Sequence, residues 1–457
     1  MVPCDPAGDR LSDPPRPTQE AEAEAAAPAR RRDWLRVFKV LGPGLVTGAA
    51  DDDPSGIATY SQTGAQFGYG QLWTALYQIP LLLAVQEACA RIGAVTGQGL
   101  AGVIKQHYSR SVVIVTVLLV VAANTINIGA DIGAVAEAAA LVVDLPVWLL
   151  AVATALAVLL LEVFVSYRIY AKFLKWLALA LLAYPATALI IDQPWPEILY
   201  ATFVPHIEFT ASFLFIITGV FGTSISPYMF FWQASQEVEE ELDHGVPSDE
   251  AGRPRLPEGY LADMRLDVTL GMVAAELVQW FIIMTTASVL FRNGVNDIQT
   301  AADAARALEP LVQSFPNAGQ AAKLIFAAGV IGLGLLAIPV LAGSAAYALS
   351  EALGWKEGLS NRLGDARGFY GVIAVSTLIG LGLNFVGINP MKALVFTAVF
   401  NGIAAVPLLF VVARINSRSD ILGAARGGPW SRLFVWLTFG VMALSAAGLF
   451  YTLAAQR

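Results

Sequence analysis

The sequence predicts an all-α polytopic membrane protein of about eleven spanning helices, laid out as two five-helix repeats and one extra helix. Three observations predict it. The 457 residues are 56% hydrophobic and 14% charged, with mean hydropathy +0.61, whereas a soluble domain carries about 25% charged residues. Apolar stretches close to the roughly 20 residues that a spanning helix needs recur along the whole chain. Proline surrounded by small polar residues interrupts the first of these stretches and again the sixth, five helices later. Interrupted helices at corresponding positions of two halves point to a binding site near the bilayer midplane.

In chain order, residues 1–37 are rich in Pro, Ala and Glu and carry Arg30-Arg31-Arg32 near their end. No apolar core precedes these arginines, so the segment reads as a disordered cytoplasmic tail and not a signal peptide. Residues 38–457 form the transmembrane domain. Its apolar segments lie at roughly 40–66, 71–95, 112–141, 146–166, 172–191, 211–236, 266–291, 320–350, 369–387, 390–413 and 432–454. Repeat one covers about 40–191, repeat two about 211–413, and the extra helix about 432–454. With the N-terminus inside, all but five of the 28 Lys and Arg fall on the inner side, the exceptions being Arg292, Arg306, Lys323, Lys392 and Arg457. That is the positive-inside pattern, and the odd helix count puts the C-terminus outside. The expected location is a bacterial plasma membrane, with the lipid bilayer as the obligatory partner. Two connections are long. Residues 237–264 open on the acidic run EVEEELD, expected to be a solvated helix extension, and 292–319 carry a short surface helix around 300–313. Cys4 and Cys89 are too few for a disulfide framework.

The first break, Asp53-Pro54-Ser55-Gly56, follows two more acids, Asp51 and Asp52. Charge at bilayer depth is costly and therefore functional by default. Pro54 lacks a backbone donor and Gly56 loosens the turn. The second break is Gly222-Thr223-Ser224-Ile225-Ser226-Pro227-Tyr228. Together they offer the Asp53 carboxylate, the hydroxyls of Ser55, Thr223, Ser224 and Ser226, and the carbonyls of two unwound turns, with Gly56 leaving room. No thiol, thioether or imidazole stands at either break, and oxygen-only donors suit Mg²⁺, Ca²⁺ or Mn²⁺. Mg²⁺ keeps several waters, so its site needs few protein ligands. Successive helical residues point about 100° apart, so Asp53 enters the site while Asp52 or Asp51 turns toward the vestibule. On the third segment, Asn124, Asn127, Asp131 and Glu137 lie within the span. Asp131 is a candidate wall of the ion or proton route, and Glu137 a candidate for the outer entrance. Glu87 and Arg91, at i and i+4, are expected to pair. Glu162 reads as interfacial, and Glu276, Gln279, Asn384 and Asn401 as interhelical hydrogen-bonding residues. His107, His206 and His244 fall in or near loops. No nucleophile–base pair and no histidine metal set lies within a span, which excludes an enzyme, and nothing supports nucleic-acid binding.

The runs GPGLVTGAADDDPSGIATYSQTGAQFGYGQLW, RIGAVTGQGL and GTSISPYMFFWQ resemble the Nramp (natural resistance-associated macrophage protein) divalent metal transporters. The resemblance covers about residues 38–455. It implies a LeuT-like fold of two inverted five-helix repeats plus an eleventh helix, with metal held between broken helices 1 and 6. It also implies alternating access.

Position by position the agreement is partial. The family's first motif, Asp-Pro-Gly-Asn, stands here as Asp53-Pro54-Ser55-Gly56, keeping the acid and losing the asparagine ligand. The sixth-helix alanine and methionine match Thr223 and Ser226, and the histidine after proline is Tyr228. A second histidine of that helix matches Gln233. The third-helix Asp-Leu-Ala-Glu motif stands as Asp131-Ile132-Gly133-Ala134. Soft ligand, asparagine, both histidines and one acid are absent, so the chain resembles the divergent Nramp-related branch that takes up Mg²⁺ and Mn²⁺ with weak or no proton coupling.

The implied metal residues are Asp53, Ser55, Gly56, Thr223 and Ser226. Asp52, Asp131, Glu137, Tyr228, Gln233 and Asn401 flank the ion pathway. Mg²⁺ or Mn²⁺ is expected as cargo, and no cofactor is expected. Two alternatives stand beside this reading. One is a proton-coupled Mn²⁺/Fe²⁺ symporter of the ordinary Nramp kind, with protons as a further partner. The other is a cation-coupled amino-acid symporter, in which the three acids beside the first break would oppose a substrate carboxylate.

Overall fold

Two helices, each broken just before a proline, touch one another through side-chain hydroxyls at their breaks. The computed structural model describes residues 42–165, 179–249, 252–314 and 317–455. The expected tail lies outside them, as do residues 172–178 at the start of the fifth apolar segment.

The first segment is broken into α1 (Pro43–Asp51) and α2 (Pro54–Phe67). Then come α3 (Trp73–Thr96), α4 (Leu100–His107), α5 (Arg110–Ala140) and α6 (Val147–Phe164). The described part of the fifth segment is a 3₁₀ turn, Leu179–Leu182, running into α7 (Ala183–Ile190). After α8 (Trp195–Phe203), the sixth segment is broken into α9 (Ala211–Ser224) and α10 (Pro227–Asp243). The second half continues with α11 (Tyr260–Val289), the short α12 (Ala301–Ala305) and α13 (Ala318–Leu353). It closes with α14 (Arg367–Leu383), α15 (Pro390–Ser417), α16 (Ser419–Leu422) and α17 (Pro429–Ala455).

Among the described residues, eight helices are long and apolar enough to cross a membrane, with α9 and α10 taken as one. With the broken first helix and the two shorter apolar helices Leu179–Ile190 and Arg367–Leu383, every expected segment is represented. The short surface helix expected around 300–313 is α12, continued by a 3₁₀ turn over Arg306–Val312.

Both breaks form for the same local reason. Pro54 and Pro227 each sit at the first position of a new helix, where their missing N–H would have no partner anyway. In the interior of one continuous helix the same residues would remove a backbone hydrogen bond. Packing then sets the halves side by side. α11 lies along both α1 and α2, and α15 lies along α9.

These crossings are close because they lack side chains. A Cβ on Gly48 would stand 2.7 Å from the Gly271 Cα, and one on Gly222 would stand 2.6 Å from the Gly402 Cα. Gly222→Val is therefore expected to cost at least about 1–3 kcal/mol through overpacking, read as a lower Tm of the purified protein than Gly440→Val, where a Cβ meets nothing within 4 Å.

Polar residues fasten the bundle. The Asp267 carboxylate on α11 accepts from three backbone amides at the start of α1: Gly42 at 2.9 Å, Gly44 at 2.6 Å and Leu45 at 3.2 Å. A helix start leaves such donors without partners, and here a neighbouring helix supplies the acceptor. Arg91 pairs with Glu87 one turn away, and Arg265 joins the same carboxylate at 2.8 Å.

Two expectations need correcting. The EVEEELD run does extend α10, but it is solvated only in part: Glu237 and Glu241 are buried, whereas Leu242 and Asp243 at its end are exposed. Glu237 is buried, accepting from Gln233 Nε2 at 2.9 Å and from the Tyr260 hydroxyl at 3.3 Å. Glu239 accepts from the Leu359 amide, the Ser360 hydroxyl and Tyr347. Sequence neighbours gave no sign of these distant donors. Glu162, expected at the interface, is buried, with no hydrogen-bond partner for either oxygen among the described residues.

Candidate functional site

Asp53 is the residue from which α2 starts, and its side chain does the capping. Its Oδ1 accepts from the Gly56 amide at 2.8 Å and from the Ser55 hydroxyl at 2.6 Å. A carboxylate at a helix N-terminus also meets the positive end of the helix dipole, worth about 0.3–2 kcal/mol. Its Oδ2 accepts from Asn127 Nδ2 on α5 at 3.2 Å. That same amide nitrogen reaches Asp131 Oδ2 at 3.1 Å, and the Asn127 oxygen accepts from Asn401 Nδ2 on α15 at 3.2 Å. The broken helices touch through hydroxyls, with Ser55 Oγ and Thr223 Oγ1 3.2 Å apart. Ser55 has one proton and spends it on Asp53, so Thr223 is the donor in that pair. Every one of these residues is buried. Asp53, Ser55, Thr223, Asn127, Asp131 and Asn401 thus form one continuous network across α2, α5, α9 and α15.

The other predicted residues are placed around it. A Cβ on Gly56 would come within 3.0 Å of the Asp51 carbonyl and 3.5 Å of Thr223 Oγ1, so glycine keeps the space between the breaks open. Ser226 precedes Pro227, but its hydroxyl turns back to the carbonyls of Gly222, at 2.6 Å, and Thr223, at 2.9 Å. Tyr228 donates to the Ala50 carbonyl at 2.8 Å, joining the second break to the end of α1. Gln233 lies further along α10, accepting from the Thr47 hydroxyl at 2.6 Å and donating to Glu237. Glu137 stands at the opposite end of α5, accepting from the Ala301 amide at 3.2 Å. Asp52 and Asp51 are buried, each with one oxygen lacking a hydrogen-bond partner.

The sequence places Asn127 within the third span without marking it as a site residue. Its i, i+4 spacing from Asp131 was the available signal. What the sequence did not contain was the partner helix, because Asp53 lies 74 positions away. Asn384 holds helices together as expected, donating to the carbonyls of Gly129 and Gly380.

Chemically, the meeting of the two breaks offers carboxylate, hydroxyl, amide and backbone oxygens. Helix C-terminal ends attract cations, and α1 and α9 both end here. Among the described residues, no three carboxylate, thiol or imidazole side chains converge closely enough to hold a bare metal ion. Two cavities stand out among the described residues. One of about 630 Å³ is lined by Gln98, Lys105, Glu239, Glu351, Glu357 and Asn361 among others. Burial, reinforced by the Glu351 and Glu239 carboxylates, pushes the Glu357 carboxyl up to about 9, with Lys105 opposing the rise. The other, about 440 Å³, lies between Gln62, Gln66, Phe215, Lys392 and Phe396.

Comparison with known proteins agrees with this architecture. The chain is 28% identical over 414 residues to the divalent metal cation transporter MntH of Chromohalobacter salexigens, covering 86% of this chain and 87% of the relative. Its fold matches the Eremococcus coleocola manganese transporter, solved with an aromatic bis-isothiourea substituted compound. That match has a TM-score of 0.74 at 18% identity, over 92% of this chain and 87% of that one. It also matches MhsT, solved with L-phenylalanine, with a TM-score of 0.57 at 12% identity over 90% and 98% of the two chains. The protein is thus a multi-pass membrane protein of the LeuT-like fold. The family model described as natural resistance-associated macrophage protein-like matches residues 44–452, and the chain belongs to the Nramp family.

Proposed function

We propose that this protein carries divalent cations, Mg²⁺ and Mn²⁺ in preference, across a plasma membrane by alternating access, with weak or no proton coupling. The observation that carries the reading is the Asp53–Ser55–Thr223–Asn127 network where the two broken helices meet. Asn127 turns its nitrogen to Asp53, so the groups there that can face an ion are the Asp53 carboxylate and the Ser55 and Thr223 hydroxyls, and one carboxylate with neutral oxygens beside it suits a hard cation that keeps part of its water. The curated relative and the structural neighbour named above are divalent metal and manganese transporters, which supports the cation class. The distribution of Lys and Arg supports a cytoplasmic N-terminus. In this reading Asp53, Ser55, Gly56, Thr223 and Ser226 surround the ion. Asp52, Asp131, Glu137, Tyr228, Gln233 and Asn401 border its route.

Asp131 favours a second reading, proton-coupled symport. It is fully buried one hydrogen-bonded residue away from Asp53, and its Oδ1 has no partner. Reconstituted uptake of Mg²⁺, Mn²⁺ and Ca²⁺ with internal pH recorded simultaneously separates the two. Mg²⁺ and Mn²⁺ uptake without internal acidification is expected. Acidification in step with metal entry would establish the symporter instead.

Ser226→Met tests the choice of ion. It removes the hydroxyl that now occupies the Gly222 and Thr223 carbonyls and brings a thioether to the break. Soft donors favour later metals, so Cd²⁺ is expected to compete with Mg²⁺ uptake roughly tenfold more strongly, about 1.4 kcal/mol. Unchanged competition would place residue 226 away from the ion.

A further inference from the structure

The two broken helices touch a second time, beside the Asp53 network. Thr223 and Ser224 are consecutive residues at the end of α9, so their side chains point about 100° apart. Thr223 reaches Ser55, which bonds Asp53. Ser224 turns instead to the Tyr60 hydroxyl on α2, at 2.9 Å. Tyr60 stands one helical turn beyond Gly56, and a Cβ on Gly56 would lie 3.3 Å from its ring. This second contact therefore sits directly against the first break.

It is anchored from outside both broken helices. Gln279 on α11 meets Ser224 Oγ at 3.1 Å with one end of its amide and Thr74 Oγ1 on α3 at 3.2 Å with the other, whichever way round the amide lies. Gln78, one turn further along α3, is within its reach at 2.9 Å. Tyr60, Ser224, Gln279, Thr74 and Gln78 are each at most 1% exposed, so a bond lost among them is not replaced by bulk water. A turn of α9 that carries Thr223 toward or away from Asp53 must also pull Ser224 off Tyr60 and Gln279. Sliding is restrained as well, because Gly222 lies with its backbone against that of Gly402.

We propose that Gln279 and Tyr60 are positioning residues that set ion selectivity: by holding Ser224 they fix the Thr223 hydroxyl relative to the Asp53 carboxylate, and so favour Mg²⁺ over Ca²⁺. The inference rests on divalent cation transport as the function. Mg²⁺ demands near-octahedral oxygens at about 2.0–2.1 Å, whereas Ca²⁺ takes a flexible shell at about 2.3–2.6 Å, so selection between them depends on the size and rigidity of the site. An end of α9 fixed from two sides suits the smaller ion. One that is free to turn makes room for the larger.

Initial rates of Mg²⁺ and Ca²⁺ uptake into proteoliposomes, measured side by side, test this. Wild type is expected to prefer Mg²⁺. Tyr60→Phe, which keeps the ring and removes only the hydroxyl, and Gln279→Leu should each lower the ratio of Mg²⁺ to Ca²⁺ uptake about five- to tenfold, the size of one net hydrogen bond. Both act through Ser224, so neither should lower the ratio further in a Ser224→Ala background. Ser445→Ala, which breaks the 2.7 Å bond from α17 to Thr218 on α9, should leave the ratio unchanged. An unchanged ratio in Tyr60→Phe and Gln279→Leu, or a wild type with no preference for Mg²⁺, would overturn the positioning role and leave transport standing. So would an equal fall in Ser445→Ala, since any loosening of α9 would then suffice. Wild-type protein that carries neither Mg²⁺ nor Mn²⁺ would overturn the transport reading and this inference with it. Should Gln279→Leu fail to elute as a monodisperse protein, Tyr60→Phe carries the same expectation.

Discussion

Asp53→Asn is expected to abolish transport while leaving the fold intact. Asparagine keeps an oxygen at the start of α2, so the cap to the Gly56 amide survives, and Asn is as good an N-cap as Asp. What disappears is the charge. Asp53 is the acid through which the Ser55, Gly56 and Asn127 donors are drawn together. A contact to a charged group is worth about 1.5–3 kcal/mol, so losing the charge that attracts the cation should lower the initial rate of Mg²⁺ or Mn²⁺ uptake into proteoliposomes on the order of 100-fold. The Tm should move little. Asp53→Ala, which removes the cap as well, should lose transport and also some stability, about 0.5–2 kcal/mol. Wild-type uptake by Asp53→Asn would show that the ion binds elsewhere.

Asp267→Ala should release α1 from α11. Three amides lose their shared acceptor at once, and a buried donor left without a partner costs about 1–3 kcal/mol. The nine-residue α1 is too short to be stable alone, so its position depends on what it packs against. Thr47 is fully buried and bonded to Gln233, which makes Thr47→Cys a reporter in a chain whose Cys4 is replaced by Ser. Its rate of reaction with a water-soluble maleimide should rise at least about tenfold in Asp267→Ala, the equivalent of 1.4 kcal/mol. Asp267→Asn, retaining one acceptor, should fall between. Equal labelling in all three would mean that the glycine crossings alone hold α1 in place.

The fold could be read from the chain because it depends on local properties. Runs of apolar residues mark the helices, and Pro54 and Pro227 mark the breaks wherever the rest of the protein goes. The carboxylate at the first break was equally visible. The partners were not. Asn127 and Asn401 reach the site from helices whose rotation is decided by packing across α5, α9 and α15, and nothing within either helix specifies that rotation. Ser226 shows the converse limit. A hydroxyl beside a break is available to an ion by composition, yet in this structure it closes on the carbonyls of its own turn. The acids of α10 were misread for a similar reason, because their donors come from residues 260 and 347–360.

The glycines where α1 crosses α11 carry a mechanical consequence. Helices that interlock large side chains resist sliding, because each displacement must lift knobs out of holes and force rotamers to change. Gly44 and Gly48 instead lay bare backbone against Val268 and Gly271. Such a surface has no teeth. It behaves as a plain bearing on which a short rod can turn while staying in van der Waals contact. Resistance to the turn is then concentrated in a few polar fastenings, at Asp267 on one end and Tyr228 on the other.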